Sequence, residues 1–204
     1  LRYGLPALSP VNDRGILTQD AGPFAGMHVF KANRPITDLL KEKGFLLLEQ
    51  KIQHSYPHCW RCQNPVIFRA TAQWFLRVDH DGLRDRAMGA IAATRWIPAK
   101  GQNRIASMVE TRPDWCLSRQ RLWGVPIPAL RCAGCGDPCL TVAMVEKFLE
   151  EVRAKGTDVW FSQDASRWLE PGTVCAKCKG TEFKKEHDIL DVWFDSGVSH
   201  QAVL

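Results

Sequence analysis

The sequence has no run of about 18 apolar residues, so it offers no membrane-spanning helix. No basic segment followed by an apolar stretch opens the chain, so no secretion signal is visible and the expected compartment is cytoplasmic. An initiator methionine is missing. Neither end has linker composition: LRYGLPALSP opens, and QAVL closes, as if inside a domain. The expectation is a piece of a longer protein. Low-complexity tracts and repeats of fixed period are absent as well, apart from one duplicated cysteine motif.

What is present is ordinary in bulk. The chain has 204 residues, enough for one large domain or two small ones. Hydrophobic residues make up 45% and charged residues 24%, values typical of globular proteins. The net charge of +5 fits a nucleic-acid partner without requiring one. Basic residues are densest at Arg112–Arg121 and Lys177–Lys185. A solvated surface explains such a distribution equally well. The 8 tryptophans read first as core or interface residues.

The cysteines are more specific. Of 8, six fall in three C-x-x-C pairs: Cys59/Cys62, Cys132/Cys135 and Cys175/Cys178. Without a secretion signal, metal binding is a better reading than disulfides. Two residues between thiolates let one tight turn aim both sulfurs at the same ion, and four thiolates close a tetrahedral zinc site. RCAGCGDP and TVCAKCKG are the strong pairs, with Gly134, Gly136 and Gly180 supplying backbone freedom around them. Cys132, Cys135, Cys175 and Cys178 are therefore the predicted zinc ligands, in a structural site with no open position for catalysis. The competing reading is four metal-free thiols. For Cys59 and Cys62, packing is the preferred role, with His54 and His58 as the only nearby residues able to complete a metal site. Cys116 and Cys139 read as ordinary thiols.

Hydrophobic periodicity predicts a mixed α+β chain. Residues 1–55 read as turn-rich and strand-like, interrupted by one helix capped by Asn33, with Pro35 near its first turn and Gly44 at its end. GFLLLEQKIQHSYPH and PVIFRATAQWFLRV read as strands. Helices are predicted after Asp79 or Asp81 and over GQNRIASMVETRP, and an edge strand over WGVPIPAL. TVAMVEKFLEEVRAKG reads as a helix capped by Thr141 and ended by Gly156, with Val142, Val145, Leu149 and Val152 on its apolar face. ILDVWFDSG reads as a final strand.

Three segments, in this order, carry a family resemblance: HSYPHCWRCQNPVIFRATAQWF, RPDWCLSRQRLWGVPIP and DILDVWFDSGVSH. Together they resemble the isoleucyl-tRNA synthetases, class I aminoacyl-tRNA ligases, over nearly the whole chain. AGPFAGMHVFKANRPI is similar to the closing part of that family's editing domain. The resemblance implies the end of a β-rich editing domain at 1–55, and a connection into a Rossmann-like catalytic core at 56–131. It further implies a zinc-ribbon-like insertion at 132–187 and a catalytic-core strand at 188–204. The family's two ATP-binding signature motifs are not found in the sequence, so the chain alone is expected to be inactive.

The resemblance also assigns residues. Trp193 matches the indole that packs against the isoleucine side chain, a flat apolar wall suited to a branched aliphatic group. Asp195, Ser196 and Gly197 would line the same pocket, and Arg119, Gln120 and Arg121 would lie where tRNA or phosphate passes. Local readings stand beside these. Trp193 could equally be a core tryptophan, and Asp191 and Asp195 a cap or salt bridge. The arginines of RPDWCLSRQRLWG could be paired with Glu110 and Asp114. The implied parent reaction joins isoleucine and ATP into isoleucyl-adenylate and then charges tRNA, with zinc as structural cofactor and ATP as substrate. The rivals are a valyl-tRNA synthetase fragment, told apart by isoleucine or valine dependence, and a free-standing zinc-ribbon RNA-binding module. Exposed core strands would also predict self-association of the fragment.

Overall fold

The computed structural model describes residues 3–6 and 8–203. The chain divides into two compact units at Ala72/Gln73.

Among the described residues of the first unit the expected β-rich character is not found. Its ordered elements are a 3-10 stretch Gln19–Phe24 and one helix, α1 (Val29–Glu42), with isolated bridges Val11↔Leu17, Ile16↔His28 and His58↔Pro65. The Asn12 side chain accepts from the N–H groups of Arg14 and Ile16, both at 3.0 Å, and so closes the first turn. The helix starts earlier than its sequence suggests. His28, not Asn33, is the N-cap, its Nδ1 accepting from Phe30 N, and Pro35 lies inside the helix. Gly44 follows the C-cap Lys43 in the left-handed region, φ 69°, as expected of a helix stop. GFLLLEQKIQHSYPH forms no ladder, and Leu47 is fully exposed. Strand propensity describes the fit of side chains to a half-buried sheet, and here no neighbouring strand provides one.

The second unit is built on short antiparallel ladders. From 65–78 only β1 (Phe75–Leu76) is a strand; it pairs with β2 (Trp115–Cys116). Between them lie α2 (Leu83–Ala93), opened by Gly82 after a 3-10 turn, and α3 (Lys100–Glu110). Arg84 ties this hairpin together, donating to the carbonyls of Val109, Glu110 and Arg112 and pairing with Asp79 at 2.6 Å. Next come β3 (Ser118–Arg119), β4 (Leu130–Cys132) and β5 (Pro138–Cys139). They are followed by α4 (Val142–Lys155), α5 (Val159–Ser162) and a 3-10 turn Ala165–Trp168. β6 (Phe183–Lys185), β7 (Ile189–Leu190), α6 (Val192–Gly197) and α7 (Ser199–Val203) complete the chain.

Two of these ladders position the sites. β3 pairs with β7 through Ser118↔Leu190 and Arg119↔Ile189. WGVPIPAL runs beside β7 and becomes a strand only at its last residue, Leu130, where β4 starts: Leu190 N donates to Val125 O and Ile127 N to Asp188 O. Prolines at 126 and 128 interrupt its donors. The second ladder is the sheet β5-β4-β6, which carries the strong cysteine pairs on a lobe with its own core.

That core consists of Leu130, Met144, Phe148, Val159, Trp160 and Trp168, all buried. The rings of Phe148 meet those of Trp160 and Trp168 edge-on at 5.7 Å each, and the two indoles lie 5.2 Å apart. Thr141 caps α4 by accepting from Met144 N, and Gly156 ends it, both as expected. The buried face differs in part from the expected one: Met144 and Phe148 are buried and Val152 packs half-buried against them, while Val142 and Leu149 are exposed. Valine and leucine defined a plausible stripe, but the two indoles sit against the adjacent stripe. Phe148→Ala is expected to destabilise the lobe by roughly 3–5 kcal/mol, and Val142→Ala by less than about 0.5 kcal/mol, in urea unfolding followed by tryptophan fluorescence.

Candidate metal centre and aromatic cleft

The sulfurs of Cys132, Cys135, Cys175 and Cys178 lie within 4.8 Å of one another. Cys132 Sγ is 3.4 Å from Cys178 Sγ, and Cys135 Sγ is 3.5 Å from Cys175 Sγ. In a tetrahedral thiolate site with metal–sulfur bonds of about 2.3 Å, neighbouring sulfurs stand about 3.8 Å apart, so the cluster has the dimensions of a four-thiolate cage. The two turns are built alike. Gly136 N donates to Cys132 O at 2.9 Å and Lys179 N donates to Cys175 O at 3.0 Å, each residue in the left-handed region (φ 72° and 62°). Gly180 is needed for space: a Cβ there would stand 3.3 Å from Cys178 Sγ and 3.5 Å from Cys132 Sγ. Thirty-nine residues separate the pairs, and the sheet removes that distance by setting Cys132 opposite Phe183.

Backbone donors favour thiolate at this cluster. The N–H of Cys178, followed by that of Lys177, brings the Cys175 thiol down to about 7 against the effect of burial. The N–H of Asp137 pulls Cys135 down too, but burial and hydrogen bonds with the other three thiols carry it up to about 12. Four sulfurs held this close together form a donor set that a divalent cation would relieve.

The third pair behaves differently. Cys62 is exposed and Cys59 half-buried, which does not fit a purely packing role for Cys62. Its turn repeats the same pattern, with Gln63 N donating to Cys59 O at 2.8 Å and Gln63 at φ 57°. His54 and His58 do not complete it: their Nδ1 atoms face the carbonyls of Ser55 and Tyr56. Among the described residues, the four-cysteine cluster is the one group able to hold a metal.

A second site lies at β7 and α6. ILDVWFDSG is not one strand: Ile189–Leu190 is a strand end and Val192–Gly197 a short helix capped by Asp191. Asp191 causes the change. Its Oδ1 accepts from Trp193 N at 3.0 Å and caps the helix, where a strand would have offered no such partner. Its Oδ2 accepts from Trp115 Nε1 at 3.1 Å and from Arg119 Nη2 at 2.5 Å. Asp191 is thus both cap and ion-pair partner, with only 4% of its surface exposed. The Trp193 N–H, then the Trp115 indole and the Arg119 charge, hold its carboxyl below the usual range despite burial.

Beside this hub opens a cleft of about 870 Å³. Trp193, Asp195, Arg119 and Arg121 line it, together with Trp123 and Phe161. Trp193 is 72% exposed and Trp123 94% exposed, so neither is a core tryptophan. Burial, then the neighbouring Asp191, pushes the Asp195 carboxyl upward. The remaining expected residues lie elsewhere. Ser196 and Gly197 are on the exposed side of α6, outside the lining. Gln120 Nε2 donates to Asp188 at 2.9 Å and to Gln73 at 3.2 Å. The pairing of the basic segment with Glu110 and Asp114 is not found: Arg119 pairs with Asp191, and Arg112 lies 5.7 Å from the Trp115 ring centroid. The lobe's contribution to the wall, Thr157, Asp158 and Phe161, had no local signal, because it arrives from a distant part of the sequence.

A family model described as tRNA synthetases class I (I, L, M and V) matches residues 11–204. The chain belongs to the class I tRNA synthetases. It is 55% identical over 204 residues to an isoleucine–tRNA ligase of Kosmotoga olearia and 53% identical over 204 residues to that of Symbiobacterium thermophilum. The corresponding ligase of Aquifex aeolicus is 53% identical over 210 residues. All of this chain is covered in each case, and it spans 22% of the relatives' length. Among the described residues, no helix of this synthetase chain is long and apolar enough to cross a membrane. Metal analysis of the purified protein is expected to find one ion per chain, absent after Cys132→Ser and unchanged after Cys116→Ser.

Proposed function

We propose that this chain is the part of an isoleucine–tRNA ligase that supplies one wall of the amino-acid pocket and a structural zinc lobe beside it. The observation that carries the proposal is the cleft where the exposed indole of Trp193 faces outward between Asp195 and the arginines. A rigid, flat apolar surface left open by the protein suits a branched aliphatic side chain. Such a wall discriminates coarsely: a missing methylene changes binding by about 1–3 kcal/mol, a limit best known from isoleucine and valine themselves rather than deduced from this cleft.

Zinc fits the four-cysteine cluster, since all four donors are sulfur and close to tetrahedral spacing. With every position filled by protein, the ion would hold the two turns together and leave chemistry to the cleft. Arg121 lines the cleft without an ion-pair partner among the described residues, which suits a phosphate of ATP or of tRNA. Arg119 has its guanidinium committed to Asp191 and to the carbonyls of Cys116 and Ser118, so its part is support. Gln120 likewise holds Asp188 and Gln73. Ser196 and Gly197 are assigned to the pocket rim.

In the parent reaction, the carboxylate of isoleucine attacks the α-phosphate of ATP, pyrophosphate leaves and isoleucyl-adenylate forms; the acyl group then passes to the terminal ribose hydroxyl of tRNA and AMP leaves. These residues would contribute through positioning and electrostatic stabilisation rather than as nucleophiles. In domain terms, residues before 56 would close the editing domain, 56–131 lead into the Rossmann-like core, 132–187 form the zinc insertion and 188–204 re-enter the core. The 204-residue chain alone is expected not to charge tRNA. The test is isoleucine-dependent ATP–pyrophosphate exchange by the full-length ligase carrying Trp193→Ala. Loss of the aromatic wall should raise the KM for isoleucine on the order of tenfold to a hundredfold, with the KM for ATP little changed. An unchanged isoleucine KM would overturn the assignment.

A further inference from the structure

Trp193 is a wall with little behind it. α6 has six residues and none of them is buried. Packing cannot then orient the indole, and a helix this short has too few internal hydrogen bonds to hold itself. Its anchor is at its first turn. The Asp191 carboxylate is 94% covered and uses both oxygens, one for Trp193 N and one for Trp115 Nε1 and Arg119 Nη2. Trp115 also meets Phe194, the residue after Trp193, with ring centroids 6.1 Å apart. The backbone behind the carboxylate is tied as well: Asp191 N donates to Leu117 O at 2.7 Å and Leu190 N to Val125 O at 2.8 Å.

We propose that Asp191 is a positioning residue that sets the orientation of the amino-acid wall by clamping the first turn of α6 to Trp115 and Arg119. The inference rests on the reading of Trp193 as that wall. Asp191 acts through Trp193 and not on substrate, because each of its oxygens already accepts from the protein. Replacing one oxygen by an amide turns an acceptor into a donor that faces other donors. The cap and the clamp cannot then both be satisfied. The consequence falls on the amino-acid side of the cleft, since the Trp193 indole is what the clamp aims.

The experiment compares Asp191→Asn, Trp115→Phe and Trp193→Ala in the full-length ligase by pyrophosphate exchange, with isoleucine and ATP varied separately. Asp191→Asn is expected to raise the KM for isoleucine on the order of tenfold, while kcat and the KM for ATP stay within about twofold. Trp115→Phe, which keeps a ring but removes the N–H, should raise it about threefold. Parallel rises in both KM values, or a fall in kcat alone, would mean general damage to the core and overturn the proposal. So would an isoleucine KM unmoved by Asp191→Asn and Trp115→Phe where Trp193→Ala does move it; the wall assignment would survive that result. If Trp193→Ala leaves the isoleucine KM unchanged, the wall assignment fails and the positioning role falls with it. Should Asp191→Asn not fold, Trp115→Phe decides alone, a selective rise supporting the role and no rise overturning it.

Discussion

One buried carboxylate joins segments that are more than seventy residues apart. Asp191 receives the indole N–H of Trp115, the guanidinium of Arg119 and the amide of Trp193. Burying a charge is costly unless it is paired and hydrogen-bonded, and here three donors do both. The arrangement fixes where β3 meets β7, and where the extended chain turns into α6. The cleft beside it takes its shape from that junction. Its other walls, Arg121 and Trp123 on one side and Phe161 on another, hang from the same two ladders.

The cysteine lobe solves a separate problem. Its strands are two or three residues long, and so short a sheet cannot hold itself. Three aromatic rings and a four-sulfur cluster beside them compensate. Two further ties run outward to the cleft. Trp160 donates its indole N–H to Glu186 O, and Lys185 donates to the carbonyls of Trp160, Phe161 and Gln163. The Glu186 carboxylate accepts from Trp74 and Arg131. The turn bearing Phe161 is therefore held in place by the same lobe that carries the thiols.

Local signals were legible where the physics is local. Thr141 and Gly156 delimit α4 because a hydroxyl and a glycine act within one turn. The two strong cysteine pairs were legible for the same reason, as each turn is set by its own few residues. Errors came where a partner decides. GFLLLEQKIQHSYPH and most of PVIFRATAQWFLRV have strand composition yet find no ladder. The buried face of α4 depends on where Trp160 and Trp168 sit, which no pattern within the helix contains.

The sequence by itself determined the family, through three motifs in order, and the four cysteines that come to lie within 4.8 Å of one another, because each is written in short contiguous strings. Only the tertiary structure decided that DVWFDSG is a cap and a helix rather than a strand. Only there do Arg119 and Gln120 bond to Asp191 and Asp188, while Arg121 lines the cleft with no ion-pair partner among the described residues. The reason is that a carboxylate's role depends on which donors reach it. Those donors come from Trp115 and Arg119, brought close by strand pairing and not by their spacing along the chain.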